Sequence, residues 1–268
     1  MSGLAKRLGE KIRYALNQKA WQQLTTLSWA QLKVIDRSTL LGFLWSLIVP
    51  VVFFAVMYVV FNRRFGSSIE HYPFYLLIGV IVVQYFVTAT SRVLSRLGTS
   101  REMVIATTIP REILVLSILF VDTYKFLIEM VLCVGLSVYW GLFDWARLPM
   151  FMMLIFSFLC FSSGISWILM VCYGYLRDTV YIWSLITRLF YFICPIFYSL
   201  ENLAPAVLKM IYWCNPVTPF LVAFRNVLIR TEPIDWQSFW VSSLWGSLLL
   251  VIGYIILTRE ENKIAEKL

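Results

Sequence analysis

The sequence predicts an all-α polytopic membrane protein with six transmembrane helices, an N-terminal amphipathic interface helix, a re-entrant or interfacial helical hairpin between the fifth and sixth spans, and cytoplasmic N and C termini. Three observations predict it. Of the 268 residues, 60% are hydrophobic and only 14% are charged. The apolar residues are gathered into long runs, and a helix of about 20 such residues crosses a hydrocarbon core of about 30 Å with its backbone polar groups satisfied internally. The Lys and Arg residues concentrate in alternate joints between the runs, as short basic loops do when they stay on the cytoplasmic side.

Residues 1–39 form the predicted interface helix. Lys6, Arg7, Glu10, Lys11, Arg13 and Lys19 follow one another with no apolar core between them, so the segment does not read as a signal peptide and is expected in the mature protein. Leu4, Leu8, Ile12 and Ala15 recur at helical spacing against a basic face, and Trp21, Leu24 and Leu27 carry the pattern on. A solvated tail over residues 1–18 is the alternative.

The membrane domain covers residues 40–258, with spans at Leu40–Phe61, Pro73–Ser91, Ile113–Trp140, Leu148–Cys172, Val180–Leu200 and Phe239–Leu257, and a cytoplasmic tail at 259–268. In the first span Gly42 permits close approach and Pro50 permits a kink. With the N-terminus inside, fifteen of the 23 Lys and Arg residues fall on the cytoplasmic side, among them Arg92, Arg96, Arg101, Arg111 and Arg177. Six fall outside: Arg63, Arg64, Arg147, Lys209, Arg225 and Arg230. The net charge of +8 is therefore read as this asymmetry plus attraction to anionic headgroups of the membrane lipids, not as nucleic-acid binding.

Two joints are longer than a turn requires. The cytoplasmic joint 92–112 has Gly98, Thr99 and Ser100 as break and cap, Arg101, Glu102 and onward as a short helix, and Pro110 before the third span. It reads as a handle for a soluble partner or as a loop anchored by arginines. The outer segment 201–235 holds two apolar pieces separated by Asn215-Pro216, with Pro205 and Pro219 suited to first helical turns and Thr218 to a cap. At 10 to 12 residues each piece makes about 15 to 18 Å of helix, half a membrane, so they form a re-entrant hairpin or lie flat on the outer leaflet, as Tyr212 and Trp213 also suit.

Chemistry leaves few marks. The five cysteines form no CxxC pair and His71 is the sole histidine, which argues against a metal site and Ser-His catalysis; no catalytic residue is assigned. No GxxxxGK[ST] occurs, so no nucleotide is held here in P-loop fashion. A membrane-embedded transferase would need a polar constellation that the outer acids Glu201, Glu232 and Asp235 do not supply.

Five stretches, in order and at their intervals, resemble the membrane subunit of ABC-2 type polysaccharide exporters, the O-antigen, capsule and teichoic acid permeases. They are RSTLLGFLWSLIVP (37–50), IPREIL (109–114), YLRD (175–178), CPIFYSLENLA (194–204) and NPVTPFLVAFRNVL (215–228). The resemblance implies a homodimer with two ATPase subunits, which carry ATP and Mg, exporting a lipid-linked polysaccharide across the inner membrane. It places ATPase coupling at Thr99, Ser100, Arg101, Glu102, Pro110, Arg111 and Glu112, and a gate at Leu203 to Ile229, including Pro205, Trp213, Asn215, Pro216, Pro219 and Arg225. It also implies a channel lined by the first and fifth spans. Rings there, Trp45, Phe53, Phe54, Tyr58, Trp183, Tyr191, Phe197 and Tyr198, offer sliding contacts to sugar C–H faces, or else pack against lipid and core.

Charges inside spans are costly and by default functional. Asp122, Lys125 and Glu129 share one helical face, where Lys125 can pair with either acid or the three can relay protons in a secondary transporter. Arg188 either meets an acidic polymer or pyrophosphate headgroup, or snorkels or pairs within the protein. A small-lipid or drug exporter of the same superfamily is the remaining alternative.

Overall fold

The computed structural model describes residues 18–37, 44–65, 69, 71–99, 110–200, 204–229 and 234–267. Every regular element among them is helical: α1 (Gln18–Arg37), α2 (Leu44–Phe65), α3 (Tyr72–Thr99), α4 (Arg111–Tyr139), a 3-10 turn at Trp145–Arg147, α5 (Leu148–Tyr175), α6 (Thr179–Ile193), α7 (Pro205–Cys214), α8 (Val217–Leu228) and α9 (Trp236–Lys267). Among the described residues three stretches are long and apolar enough to cross a membrane, Tyr72–Leu97, Trp145–Tyr175 and Trp236–Glu260. Val51–Arg63, Thr179–Ile193 and Val217–Leu228 are shorter apolar helices. Helix α4 has the length, 29 residues, but carries five charged side chains.

Several boundaries differ from the sequence reading. Helix α3 runs on to Thr99, so Arg92 and Arg96 sit on a helix and not in a joint. The fifth span ends at Ile193 instead of Leu200, because the residue before a proline is pushed out of helical conformation; Cys194, ahead of Pro195, has φ −70 and ψ 137. The tail 259–268 continues α9 as helix to Lys267. Residues 1–17, 38–43 and 100–109 lie outside the described residues, which takes in the start of the interface segment and, of the coupling residues, Ser100, Arg101 and Glu102.

Helix α3 is the centre of the bundle, packed on α2, α4, α5, α6 and α8. Its run Ile78, Val80, Val82, Val83 and Ala89 is wholly buried, as a helix apolar on all sides must be. Around it, Tyr85 stacks on Phe126 of α4 with centroids 4.4 Å apart. Phe158 and Phe161 of α5 lie 5.0 and 5.2 Å from Phe220 of α8. These rings lock four helices together. Helix α1 lies against α4 through buried Ala20 and Ser28 and a hydrogen bond from Gln31 Nε2 to Ser117 Oγ at 3.1 Å. Its other edge exposes Trp21 and Trp29.

The closest helix pair is α5 on α9. Ser157 and Gly164 on one face Gly246 and Gly253 on the other, seven residues apart in each chain segment, so the contacts repeat every two turns along parallel helices. A Cβ at Gly164 would lie 2.2 Å from the Leu249 carbonyl oxygen, backbone that cannot rotate aside. Small residues are the only ones this approach admits.

We therefore expect Gly164→Leu to force the two helices apart. Thermal unfolding of the detergent-purified protein should show a loss of at least about 1 to 3 kcal/mol, the scale of overpacking a filled core. Gly135→Ala, where a Cβ meets nothing within 4 Å, should leave the midpoint unchanged or raise it by a few degrees.

Candidate functional site

The end of the fifth span builds the most unusual polar arrangement in the molecule. After Ile193 the backbone leaves the helix at Cys194-Pro195, and the carbonyls that follow have no helical partner. Each is met from another element. Arg225 of α8 donates from Nη1 to the Pro195 carbonyl at 2.7 Å and from Nη2 to the Ile196 carbonyl at 2.8 Å. From α3, the Tyr72 hydroxyl donates to the Phe197 carbonyl at 3.2 Å and the Tyr75 hydroxyl to the Tyr198 carbonyl at 3.1 Å. Four consecutive carbonyls are thus satisfied by three side chains. Tyr198 adds a bond of its own, from its hydroxyl to the Ile193 carbonyl at 3.1 Å.

Arg225 is 5% exposed and no carboxylate pairs with it among the described residues. Its charge is met by dipoles: the two carbonyls above, a third at Tyr75 from Nε at 3.1 Å, and the face of the Tyr75 ring, 3.4 Å from the guanidinium carbon. Gly79, one turn along α3, leaves the space the guanidinium fills; a Cβ there would stand 2.4 Å from Nη2. The planar fork suits this set of acceptors in a way an ammonium does not.

Helix α8 is fixed at both ends as well. The Asn215 side chain accepts from Val217 N at 3.1 Å, capping the helix, and donates to Cys194 Sγ at 3.0 Å. Pro216 holds the N-cap position and the first helical N–H is met by Asn215 from the residue before it, not by Thr218, whose buried hydroxyl has no hydrogen-bond partner among the described residues. At the other end Arg147 Nη1 donates to the Asn226 carbonyl at 2.7 Å and the Ser137 hydroxyl to the Leu228 carbonyl, placing a cation where a helix dipole favours one. Asp235 then starts α9 by accepting from Ser238 N at 3.1 Å. Tyr212 of α7 bonds the Ser238 hydroxyl at 2.8 Å.

The two hairpin pieces differ. Helix α8 is buried almost throughout among α3, α4, α5 and α9, so it does not lie flat on a surface. Helix α7 begins at Pro205 and exposes Met210 and Trp213.

The aromatic residues expected along the first and fifth spans meet in a seam within one chain. Phe53 and Tyr191 lie 5.3 Å apart, and Phe61 stacks on Phe197 at 4.5 Å. Phe197 is buried. Phe54 and Tyr58 stack on each other at 5.9 Å along α2, half-buried. Trp183 is turned inward, its Nε1 donating to Thr90 Oγ1 at 3.0 Å. The side chains of Trp45 and Thr99 lie outside the described residues.

The charged face of α4 is organised differently from the sequence reading. Asp122 pairs with Arg92 of α3, Nε to Oδ2 at 2.6 Å and Nη2 to Oδ1 at 2.9 Å, and not with Lys125. A bidentate fork thirty residues away outcompetes a flexible ammonium one turn away. Lys125 and Glu129 are half-buried and make no ion pair within 4 Å with each other or Asp122. Pro110 opens α4, with Glu112 buried in its first turn and Arg111 half-buried.

Sequence reasoning places Arg225 in the hairpin without its role, reads Arg92 only as a basic residue of the cytoplasmic joint, and misses Tyr72, Tyr75 and Gly79. The available signal for Arg225 is a lone arginine among apolar residues with no acid at helical spacing. The tyrosines carry none.

Comparison with known proteins matches the family described as ABC-2 type transporter to residues 22–229, from α1 through the end of α8. Among curated proteins the chain is similar to two O-antigen export system permease proteins RfbA of Klebsiella pneumoniae, 24% identical over 266 residues and 23% over 260, each alignment covering 96% of this chain and 98% of the relative. It is also similar to an RfbA of the same description from Myxococcus xanthus, 20% identical over 246 residues, covering 91% and 95%.

Arg225→Met should remove the donors of three buried carbonyls at once and destabilise the purified protein by about 3 to 5 kcal/mol, the scale of breaking a buried charged network. Arg225→Lys should recover little of it, because one ammonium cannot reach all three acceptors. Tyr72→Phe should cost about 1 kcal/mol, the worth of one buried hydrogen bond. Thermal unfolding in detergent separates the three.

Proposed function

The chain belongs to the ABC-2 type transporter family, and from that premise we propose that it is the transmembrane subunit of an ATP-driven exporter of a lipid-linked cell-surface polysaccharide. The observation that carries this reading is similarity along nearly the whole length to permeases named for O-antigen export. In it, six spans sit in the cytoplasmic membrane with both termini inside, and two copies enclose the channel. Two ATPase subunits holding ATP and Mg bind at the joint between α3 and α4, Thr99 to Glu112, and drive it.

The structure supports the assignment of parts. The helix after the joint starts at Pro110 with its first turn embedded in the bundle, so a push delivered there reaches α4 and, through Arg92 and Asp122, α3. Helix α3 holds the broken end of the fifth span and α8 through Tyr72, Tyr75 and Arg225. That chain of contacts runs from the coupling joint to the hairpin proposed as gate. Where the seam between α2 and the fifth span opens toward the second copy, its rings give the polymer faces to slide along.

A proton-coupled carrier is the weaker reading, because Asp122, one of three groups such a relay needs, is held in a bidentate salt bridge. A small-lipid or drug exporter would share this topology; the resemblance to O-antigen permeases along the chain favours polysaccharide.

Deleting the gene should leave cells with undecorated surfaces and polymer accumulating in the cytoplasm, measured by surface and whole-cell glycan staining. Normal surface glycan would count against export. In the complemented strain, an uncoupler that collapses the proton gradient while ATP is maintained should leave export running, and arrest under those conditions would favour the proton-coupled reading.

A further inference from the structure

Three arginines buried or half-buried in the described bundle have partners: Arg92 has Asp122, Arg147 has the Asn226 carbonyl, and Arg225 has three carbonyls. Arg188 of α6 is different. It is exposed and makes no hydrogen bond or ion pair with any described residue. Its face of the helix carries Tyr181, 77% exposed, Leu185, 62%, and Phe192, 73%, one or two turns away on either side. The face lies beside the seam where Tyr191 meets Phe53 of α2.

The depth of Arg188 follows from the short helix. Arg177 and Asp178 precede α6 and mark its polar end, and Arg188 stands nine residues beyond Thr179, about 13 Å along the axis. Helix α6 has 15 residues, about 22 Å, so its broken end falls short of a 30 Å hydrocarbon core and is enclosed by α3 and α8. Arg188 is therefore near mid-depth, farther from either surface than its side chain can snorkel. On a water-poor face such a cation is costly unless it is paired. A counter-charge on that face removes the cost.

Resting on the reading of this chain as an exporter of a lipid-linked glycan, we propose that Arg188 is a binding residue for a phosphate-type oxyanion carried on a membrane lipid, positioned on the free face of α6 beside the α2 seam. The guanidinium fork matches two phosphate oxygens, and Tyr181 and Phe192 flank it with apolar rings for the attached chain or sugar. The oxyanion can come from a polyprenyl-linked glycan or from a phospholipid headgroup. Both present the same chemistry.

The test uses the purified complex of this chain with its ATPase, as wild type, Arg188→Gln and Arg188→Lys, incubated in detergent with polyprenyl diphosphate or phosphatidylglycerol and read by native mass spectrometry. Retention of polyprenyl diphosphate should fall about tenfold or more in Arg188→Gln and partly recover in Arg188→Lys. Retention of phosphatidylglycerol with the same dependence supports the oxyanion site and assigns it to headgroups. Equal retention of both lipids in wild type and Arg188→Gln overturns the proposal, as does loss of the second copy from the Arg188→Gln complex, which would make a partner's acid the counter-charge. Unchanged thermal unfolding of Arg188→Gln confirms that the exposed side chain is not needed for folding. The outcome is separable from the export reading: a deletion strain with normal surface glycan defeats that reading, whereas glycan lost on deletion together with equal lipid retention in wild type and Arg188→Gln defeats only this proposal.

Discussion

A helix that stops inside a membrane protein leaves carbonyls with no water to meet them, and the molecule is arranged around that constraint. Pro195 stops α6, and the carbonyls of residues 195 to 198 are taken up by Arg225, Tyr72 and Tyr75. Other choices follow from it. Gly79 makes room for the guanidinium, the Tyr75 ring faces its charge, Asn215 joins the start of α8 to Cys194, and Arg147 with Ser137 holds the far end. A single arginine without a counter-acid among the described residues serves because its directed donors meet several dipoles, which spreads the charge without leaving a second buried ion to solvate.

Because the same carbonyls are shared by the fifth span, α3 and α8, these three cannot shift independently. Movement of the hairpin must carry the broken end of α6 with it or break at least three hydrogen bonds. The pairing of α5 with α9 through Gly164, Gly246 and Gly253 forms a second rigid unit with its own contacts. Between the units lie ring contacts, which slide more readily than hydrogen bonds, and hydrogen-bonded ties at the hairpin end, Arg147 to the Asn226 carbonyl and Tyr212 to Ser238. A transporter needs both kinds of joint.

Much of this is legible in the sequence, and the rest fails for definite reasons. Long apolar runs give the helices at 73–91, 148–172 and 239–257, since their existence depends on composition alone. Pro205 at the first turn of α7 and the break at Asn215-Pro216 follow from local proline geometry. The end of the fifth span does not, because the residues after Pro195 are apolar and look like more span. The partner of Asp122 escapes for a different reason. Spacing along one helix reveals Lys125, whereas Arg92 arrives by tertiary packing that no local pattern encodes. The role of Arg225 is hidden likewise, since its acceptors are main-chain carbonyls, which every residue has.

The direct measurement is reconstitution. Vesicles containing this chain alone, and vesicles containing it with its ATPase, are loaded with lipid-linked glycan on the outer, ATP-accessible face and assayed for glycan protected from added glycosidase. The account predicts protection only with the ATPase and hydrolysable ATP, with ATP turnover raised by the glycan. Protection by the chain alone, without nucleotide, would contradict it.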